Sequence, residues 1–434
     1  MGCYFFWFYY FLLANVKIFV WLNNAFPLLF YVCILFANYR INRVYGQILK
    51  DMNNFIFKNP TKIIFGRGAI AKLATEIPLD KRVMITLGGG SVKENGVYSQ
   101  VKDALSAHFT VEFWGIEPNP EYETLLNAVE VAEQNEIDFL LAVGGGSVLD
   151  GTKFIAQAIG FDQEPWNLVR NPRLTRPSLP VASVMTLPAT GSEMNHRSVI
   201  SYRAKKEKLA FMSEHLYPLF SILDPEVTYS LPDRQISNGL VDSFMHVMEQ
   251  YMTYPVNALV MDRWAEGILQ TLIEISGQVL TNRTDYDVMS NYMMCATLAL
   301  NDFIGMGVPQ DWAAHRIGHE LTAVYGLDHG QALAVIYPAL LRVMKAEKRE
   351  KLLQYAVRVW KLECTDPDSC IDQVIDQTEN FFRSVGMHTR LHEYQIGSDA
   401  VGKITDRVRQ RGLVYGENQS VTPEVVECII SSAL

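Results

Sequence analysis

The stretch DFLLAVGGGSVLDGTKFIAQAIG, residues 138–160, decides the fold of this chain. An apolar run of strand length, DFLLAV, is followed by consecutive glycines and then at once by a stretch with helical periodicity. A tight turn from a buried strand into a helix is typical of a parallel βαβ unit. Glycines at such a turn let the backbone approach a ligand, and the free N–H groups of the helix N-terminus favour an anion. The stretch therefore predicts an α/β domain with an anion-binding turn at 144–147.

The same alternation of strands and helices surrounds this unit. KRVMITL and TVEFWG are typical of strands, while YSQVKDALSAHF and YETLLNAVEVAEQN have helical periodicity. Residues 52–231 are therefore expected to form a doubly wound, Rossmann-like α/β domain around a parallel sheet. After LDPEVTYSLPDRQ (223–235), which has the composition of a linker, helix-period segments such as NALVMDRWAEGILQTLIEI dominate. Residues 232–434 are predicted to form an all-helical domain, with a small-molecule site in the cleft between the two.

Residues 1–51 do not fit this pattern. The segments at 4–22 and 23–39 carry one charged side chain, Lys17, so their length and hydropathy are typical of a membrane span. They lack the basic region and the A-x-A site of a signal peptide. The competing interpretation, which we favour, is that this extension is not part of the native enzyme and that Met52 is its functional start, because nothing downstream requires a membrane. A cytoplasmic protein is expected, with a membrane tether through residues 4–39 as the alternative.

The net charge and the cysteine content argue against several other classes of protein. The net charge of −9 over 434 residues argues against a nucleic-acid partner, whose phosphates require a basic surface. The 6 cysteines form no CxxC pair, which argues against a disulfide scaffold or a thiolate zinc site and favours a reducing compartment. Cys364 and Cys370 flank TDPDS, and we interpret this segment as a surface loop and not as a redox pair.

The pentapeptide GGGSV occurs a second time, at 88–92, after the strand VMITL. An acidic residue at such a strand end binds the ribose 2′-hydroxyl of NAD, whereas a basic neighbour admits the 2′-phosphate of NADP. Here the strand end offers glycines and Ser91, then Lys93 and Glu94, and so favours NADP. A shifted loop with Glu94 at the ribose would favour NAD. A third strand-end loop, TLPATGSE (186–193), completes what we interpret as a cradle for a dinucleotide, although the spacing is not GxGxxG.

The predicted helical half carries a cluster of histidines: His246, His315, His319 and His329. Asp242 precedes His246 by four residues, as His315 precedes His319, so that each pair shares one face of a helix. His329 follows in a predicted loop. A carboxylate with imidazoles is the ligand set of Zn²⁺ or Fe²⁺, not of Ca²⁺ or Mg²⁺. Spacing alone does not decide which of His315 and His319 is the ligand.

From Met52 to near the C-terminus the chain resembles the iron-containing (group III) alcohol dehydrogenases, and among them the NADPH-dependent aldehyde reductases and butanol dehydrogenases. The matching stretches are FGRGAI (65–70), EPNP (117–120), GGGSVLDGTK (144–153), TLPATGSE (186–193), DP (224–225), NGLVDSFMHVMEQ (238–250) and HRIGHELTAVYGLDHG (315–330). The resemblance implies a dehydroquinate synthase-like architecture, a homodimer, and reduction of aldehydes to primary alcohols by hydride transfer from NADPH. Fe²⁺ or Zn²⁺ would polarise the carbonyl oxygen. The sequence departs from the family at Met194 to His196.

The resemblance also implies the site residues. The metal ligands would be Asp242, His246, His315 and His329, and His319 would lie near the nicotinamide as the candidate proton donor. The cofactor residues would be Gly88, Gly89, Gly90, Ser91, Asn119, Gly144, Gly145, Gly146, Ser147, Asp150, Thr186, Leu187, Thr190, Asn195 and Lys208. Among these, residues 144–147 with Asp150 would hold the pyrophosphate, and Lys208 would lie at the nicotinamide ribose. Trp312 and Tyr325 are candidate liners of an apolar substrate pocket, with a core role as the alternative for each.

Two other functions remain open from the sequence. One is an enzyme of the same fold but different chemistry, similar to dehydroquinate synthase or glycerol dehydrogenase. A dehydroquinate synthase-like lyase would need several cationic side chains near the histidines, where Arg316 is one of few. The other is a membrane-tethered binding protein without activity, for which the apolar segment at 4–39 is the only support.

Overall fold

A parallel sheet organises the part of the chain before Leu223. In the computed structural model, which describes residues 50–434, the strands are β1 Lys62–Phe65, β2 Arg82–Leu87, β3 Phe109–Phe113, β4 Phe139–Gly145, β5 Val181–Leu187, β6 Arg197–Tyr202, β7 Glu207–Met212 and β8 Phe220–Leu223. Six of these described strands form one sheet in the order β1-β8-β5-β4-β2-β3, and every neighbouring pair is parallel. Strands β6 and β7 form a separate antiparallel hairpin, which the sequence did not predict.

The helices divide into those that connect strands and those that follow the sheet. The connecting helices are α1 Leu73–Glu76, α2 Ser91–Glu94, α3 Val97–Ala104, α4 Tyr122–Gln134, α5 Gly146–Ala158 and α6 Trp166–Arg170. The later helices are α7 Asp233–Tyr251, α8 Leu259–Thr281, α9 Tyr286–Ala299, α10 Ala313–Tyr325, α11 His329–Val343, α12 Arg349–Arg358, α13 Pro367–Ser384, α14 Asp399–Gln410 and α15 Pro423–Ser432. The predicted fold class, a Rossmann-like parallel sheet followed by a helical region, is confirmed.

The strand order creates a crevice at the carboxyl ends of β2 and β4. The chain leaves β2 for the edge strand β3 and returns to β4 on the other side of β2, before moving on to β5. Connections therefore leave β2 and β4 in opposite directions, which defines the place where open α/β sheets bind their ligands. Both GGGSV loops follow these two strands directly.

The two GGGSV loops nevertheless have different surroundings. A Cβ on Gly146, the first residue of α5, would lie 2.3 Å from Thr190 Oγ1, and one on Gly144 would lie 2.6 Å from Val148 Cγ2. A Cβ on Gly89 would meet nothing within 4 Å. The second loop therefore needs glycine for close packing of strand, helix and the 186–193 loop, whereas the first loop faces open space at Gly89.

Most of the predicted linker at 223–235 is folded. Strand β8 ends at Leu223, Pro225–Thr228 form a 3₁₀ helix, and α7 begins at Asp233. The Asp224 carboxylate accepts hydrogen bonds from the N–H groups of Gly68, at 2.7 Å, and Glu226, at 3.0 Å. Because this buried carboxylate fixes the connection to the start of the sheet, the segment between the α/β and helical parts is not a free linker.

Residues Met52–Leu434 form one compact unit. The end of the α/β domain at residue 231 and the start of the helical domain at residue 232 stay predictions. The role of the extension (1–51) also stays a prediction, and its residues 1–49 lie outside the described residues. Within residues 50–434, no helix combines the length and the hydropathy needed to cross a membrane.

For Cys364 and Cys370 the sequence favoured a surface loop over a redox pair, and the structure shows the cysteines paired. The structure joins them in a disulfide, with Cα atoms 5.3 Å apart. Cys370 lies in the first turns of α13, where the Asp366 side chain caps the helix by accepting a hydrogen bond from the Ser369 N–H. The composition of the intervening residues suggested a loop, but it carried no information about this turn.

The different surroundings of the two glycine loops predict different costs of substitution. In Gly146→Ala the new methyl group must displace Thr190, and we expect a loss of about 1–3 kcal/mol in the free energy of unfolding. In Gly89→Ala, where the space is open, we expect a change within about 0.5 kcal/mol. Denaturant unfolding of the cofactor-free protein measures both, and equal costs would contradict this account of the two loops.

Candidate metal and cofactor site

A cavity of about 650 Å³ lies between the α/β part and the later helices. Many of the residues predicted from the sequence line it: Asn119, Ser147, Asp150, Thr190, Asn195, Lys208, Asp242, His246, His315, His319 and His329. The hairpin β6–β7 supplies one wall, including Lys208 and Leu209, and helices α7, α10 and α11 supply the opposite wall. The structure thus brings six of the predicted cofactor residues and the predicted metal ligands to one space.

Three helices place their side chains around one carboxylate oxygen, Asp242 Oδ1. The Nε2 atoms of His246 and His329 each lie 3.6 Å from it, and that of His315 lies 3.9 Å from it. Asp242 and His246 are one turn apart on α7, His315 lies in the first turn of α10, and His329 is the first residue of α11. The candidate ligand atoms of Asp242, His315 and His329 all lie within 4.8 Å of one another.

Burial controls the charge of these groups. It lowers the pKa of His246 to about 4 and that of His315 to about 3, and it places that of His329 well below its usual value. The imidazoles are therefore neutral at pH 7 and can offer lone pairs to a cation. Asp242 Oδ1 and His315 Nε2 are buried without a hydrogen-bond partner within residues 50–434. Such orphaned polar atoms are costly unless a cation satisfies them, so the residues fit a divalent metal of the Fe²⁺ or Zn²⁺ type.

His319 lies beside this group. Its ring centroid is 5.1 Å from that of His329, and the side chain lines the same cavity. Burial lowers the pKa of His319 well below its usual value, with the Lys208 charge as the next cause, so the ring is neutral at pH 7. A neutral imidazole can accept a proton at one nitrogen and donate from the other, which suits a relay.

A smaller cavity of about 120 Å³ lies at the crevice between β2 and β4. Its lining includes Gly88, Gly89, Gly90, Ser91, Asn95, Gly144, Gly145, Thr186, Leu187 and Ser230. Gly145 lines this cavity and Ser147 the larger one, while Gly146 lines neither and serves packing. Lys93, which the sequence analysis placed near a 2′-phosphate, holds its ammonium group 4.0 Å from the centroid of the Trp114 ring, and neither Lys93 nor Glu94 lines the cavity.

Several of the predicted cofactor residues already have partners in the protein, Asp150 and Lys208 among them. Asp150 accepts hydrogen bonds from Ser192 Oγ at 2.6 Å and from the Val199 N–H at 2.9 Å. Lys208 Nζ donates to Asn119 Oδ1 at 2.8 Å, and burial lowers the pKa of Lys208 to about 8. Lys208 is therefore mainly protonated at pH 7 and faces the cavity as a cation.

Sequence reasoning missed two buried ionisable residues that hold this site, Lys153 and Glu249. Lys153, in the motif GGGSVLDGTK, places its Nζ within hydrogen-bond distance of oxygens of Ser192, Asn195 and Arg197. Glu249, seven residues after Asp242 on α7, contacts His315. The helical spacing of Glu249 from Asp242 was a usable signal, whereas the contacts of Lys153 depend on the tertiary fold.

Of the two aromatic residues proposed to line the substrate pocket, one does so. Trp312 lines the cavity, next to Arg316 and Tyr415. Tyr325 does not: it packs against the helical core near the end of α10, so its proposed place in the pocket is wrong and the core role is correct. Tyr325 lies five residues beyond Glu320, which is the last residue of α10 that lines the cavity, and spacing from the histidines alone did not reveal this.

Comparison with known proteins matches almost the whole described chain. Residues 60–225 match the model of the iron-containing alcohol dehydrogenase family, and residues 236–434 match that of the C-terminal region of Fe-containing alcohol dehydrogenases. The NADPH-dependent aldehyde reductase YqhD of Escherichia coli K12 is 50% identical over 386 residues, which cover 88% of this chain and 100% of that protein. A probable NADH-dependent butanol dehydrogenase of Bacillus subtilis is 39% identical, with 88% and 100% coverage.

The fold comparison agrees with the sequence comparison. The crystal structure of Escherichia coli K-12 YqhD superimposes with a TM-score of 0.87 at 49% identity, covering 89% of this chain and 100% of that one. A parallel sheet followed by helices that carry a cluster of candidate metal ligands is thus the architecture of a class of metal-dependent dehydrogenases. This chain belongs to the iron-containing alcohol dehydrogenase family. The predicted family is confirmed, and the oxidoreductase function is favoured over the lyase and the non-enzymatic binding protein.

The geometry separates the roles of His315 and His319. His315→Ala removes a nitrogen that faces Asp242, so we expect loss of bound metal together with nearly all turnover. His319→Ala removes a ring outside the group that surrounds Asp242, so we expect metal to remain while turnover falls by roughly 10²- to 10⁴-fold if this ring relays the proton. Metal analysis of both purified variants, with their rates of NADPH oxidation, measures the difference. Metal retained in His315→Ala and lost in His319→Ala would show that the roles are reversed.

Proposed function

We propose that this protein reduces aldehydes to primary alcohols by hydride transfer from NADPH at a divalent metal ion, Fe²⁺ or Zn²⁺. The metal would be held by Asp242, His246, His315 and His329. The observation that carries the proposal is the position of three neutral imidazoles around the unpartnered Asp242 Oδ1, in the cavity that Lys208 and Asn119 also line. The match to aldehyde reductases and alcohol dehydrogenases over both halves of the chain supports it.

The chain's own residues bind and orient the reactants. When bound, the metal supplies Lewis-acid polarisation of the carbonyl oxygen and NADPH supplies the hydride. Lys208 would hold the nicotinamide ribose side through its ammonium group, which Asn119 orients. Leu209, Phe211 and Leu413 give the cavity apolar walls that suit an aliphatic aldehyde and exclude water. His319 would pass a proton toward the alcohol oxygen.

NADPH is proposed over NADH because the smaller cavity presents glycines and hydroxyl groups where an NAD-type acid would stand. Gly88, Gly89 and Ser91 line it, and Glu94 does not. YqhD is named for NADPH and the Bacillus relative for NADH, so the family contains both preferences. We therefore expect the residues at this strand end to determine the preference between NADPH and NADH.

An absorbance assay of NADPH oxidation with butanal tests the function. We expect turnover that disappears after dialysis against a chelator and returns with Fe²⁺ or Zn²⁺, because the carbonyl is not polarised without the metal. A protein that is fully active after complete metal removal would contradict the role of the histidine cluster. No net consumption of cofactor with any short aldehyde would refute the oxidoreductase assignment.

A single substitution at the open glycine loop should change the cofactor preference. Gly89→Asp places a carboxylate where nothing lies within 4 Å, and its repulsion of the 2′-phosphate should lower kcat/KM for NADPH at least about tenfold and favour NADH. Gly89→Asn, which has the same shape without the charge, is the matched control and should change the ratio much less. Equal effects of the two substitutions would show that the 2′-phosphate binds elsewhere.

We further propose a homodimeric, cytoplasmic enzyme whose functional start is Met52. This proposal rests on the family resemblance and on the compact unit Met52–Leu434. Light scattering of the purified chain measures the oligomeric state, and a monomer at micromolar concentration would contradict it.

A further inference from the structure

Glu249 is a buried acidic side chain that the proposed mechanism does not use. It is 1% exposed and lies on α7, seven residues after Asp242 and three after His246. Residues at this spacing share one face of a helix, so Glu249 faces the same neighbouring helix as the proposed ligands. A buried acid at this position needs partners, and its partners are in α10.

The carboxyl group of Glu249 contacts His315 at two points. Oε1 accepts a hydrogen bond from the His315 backbone N–H at 3.0 Å, and the same oxygen lies 3.0 Å from His315 Nδ1. When Nδ1 carries the proton toward Glu249, the lone pair of the ring is on Nε2. That atom is buried without a hydrogen-bond partner within residues 50–434 and lies 3.9 Å from Asp242 Oδ1. The contact thus selects the tautomer that a metal ion requires.

This arrangement is particular to His315. His246 and His329 each approach Asp242 through Nε2, but within the described part of the chain neither has a carboxylate within 4.0 Å of its other ring nitrogen. A carboxyl group behind a ligating imidazole fixes the ring orientation and raises its basicity. His315 is therefore the proposed ligand whose second ring nitrogen contacts an acidic side chain.

The position of Glu249 is itself fixed. Its backbone carbonyl accepts a hydrogen bond from the Asp311 N–H at 2.9 Å, and the Asp311 carboxylate accepts from Lys348 Nζ at 2.6 Å and from the Ala313 N–H at 2.8 Å. Lys348 is 3% exposed. These contacts tie the end of α7, which carries Glu249, to the start of α10, which carries His315.

We infer that Glu249 is a positioning residue, which holds His315 with its Nε2 toward Asp242 and thereby sets the affinity of the site for a divalent metal ion. The inference rests on the proposed function in so far as the site binds a metal. Removal of such a partner weakens metal binding by about 10- to 100-fold in comparable sites.

The test measures the Zn²⁺ affinity of the metal-free full chain by competition with a chromophoric chelator. Glu249→Met removes the acceptor at similar volume, and we expect about 10- to 100-fold weaker binding. Glu249→Gln keeps an acceptor oxygen but cannot become a carboxylate when a cation binds, and we expect a smaller loss, of at least about threefold. The control is Glu266→Gln, which changes a buried glutamate that pairs with Arg358 and Tyr251 outside the site and should leave Zn²⁺ affinity unchanged.

The outcomes separate this inference from the proposed function. Glu249→Met with the Zn²⁺ affinity of the parent, within about twofold, overturns the inference. If that variant does not fold, parent-like affinity of Glu249→Gln overturns it, and so does an equal loss in Glu266→Gln. A parent chain that binds Zn²⁺ tightly but does not oxidise NADPH with any aldehyde would refute the proposed function while leaving the effect of Glu249 measurable.

Discussion

The buried ammonium group of Lys153 is the interaction on which the cofactor side of the structure depends. The side chain is fully buried, and Nζ lies 2.8–3.2 Å from oxygens of Ser192, Asn195 and Arg197. Burial lowers the pKa of Lys153 to about 8, opposed by the nearby Asp150 and Glu193. A buried charge costs several kcal/mol when it lacks partners, so these oxygens have to remain where they are. Lys153 therefore fixes the loop that joins β5 to β6 onto helix α5.

This loop, the glycine turn and the helix form one rigid polar unit. Ser192 Oγ donates a hydrogen bond to Asp150. Because Gly146 has no side chain, α5 packs directly against Thr190. Thr190 and Asn195 consequently reach the larger cavity from a support that cannot shift independently of the turn at 144–147. The opposite wall is anchored separately, by Asp242 and by the contact of Glu249 with His315. Two rigid supports thus face each other across one cavity, which is the condition for holding a cofactor and a metal at a fixed separation.

The sequence predicted what depends on local periodicity and on spacing within one helix. The strands and helices around 138–160 follow from alternation of buried segments, and Asp242 with His246 follows from the turn of a helix. The sequence did not predict contacts between segments that are distant along the chain. The partner of His315 is 66 residues away. Strand β6 of the β6–β7 hairpin packs against α5, which its own sequence does not reveal, and Cys364 pairs with Cys370 across the start of a helix. The choice between His315 and His319 required the position of Asp242, because the two histidines share one helix face.

The repeated pentapeptide shows why a motif does not determine its own role. Both copies follow a parallel strand at the same crevice, and both contain the same residues in the same order. After β4, Gly144 and Gly146 meet Val148 and Thr190 at distances that leave no room for a Cβ, so packing requires glycine there. After β2, no described residue near Gly89 would obstruct a Cβ, whereas Gly90 has a φ of 110° and so favours glycine through its own backbone. Identical sequence therefore carries a packing constraint in one loop and a backbone constraint in the other, and the neighbours contributed by the rest of the fold make the difference.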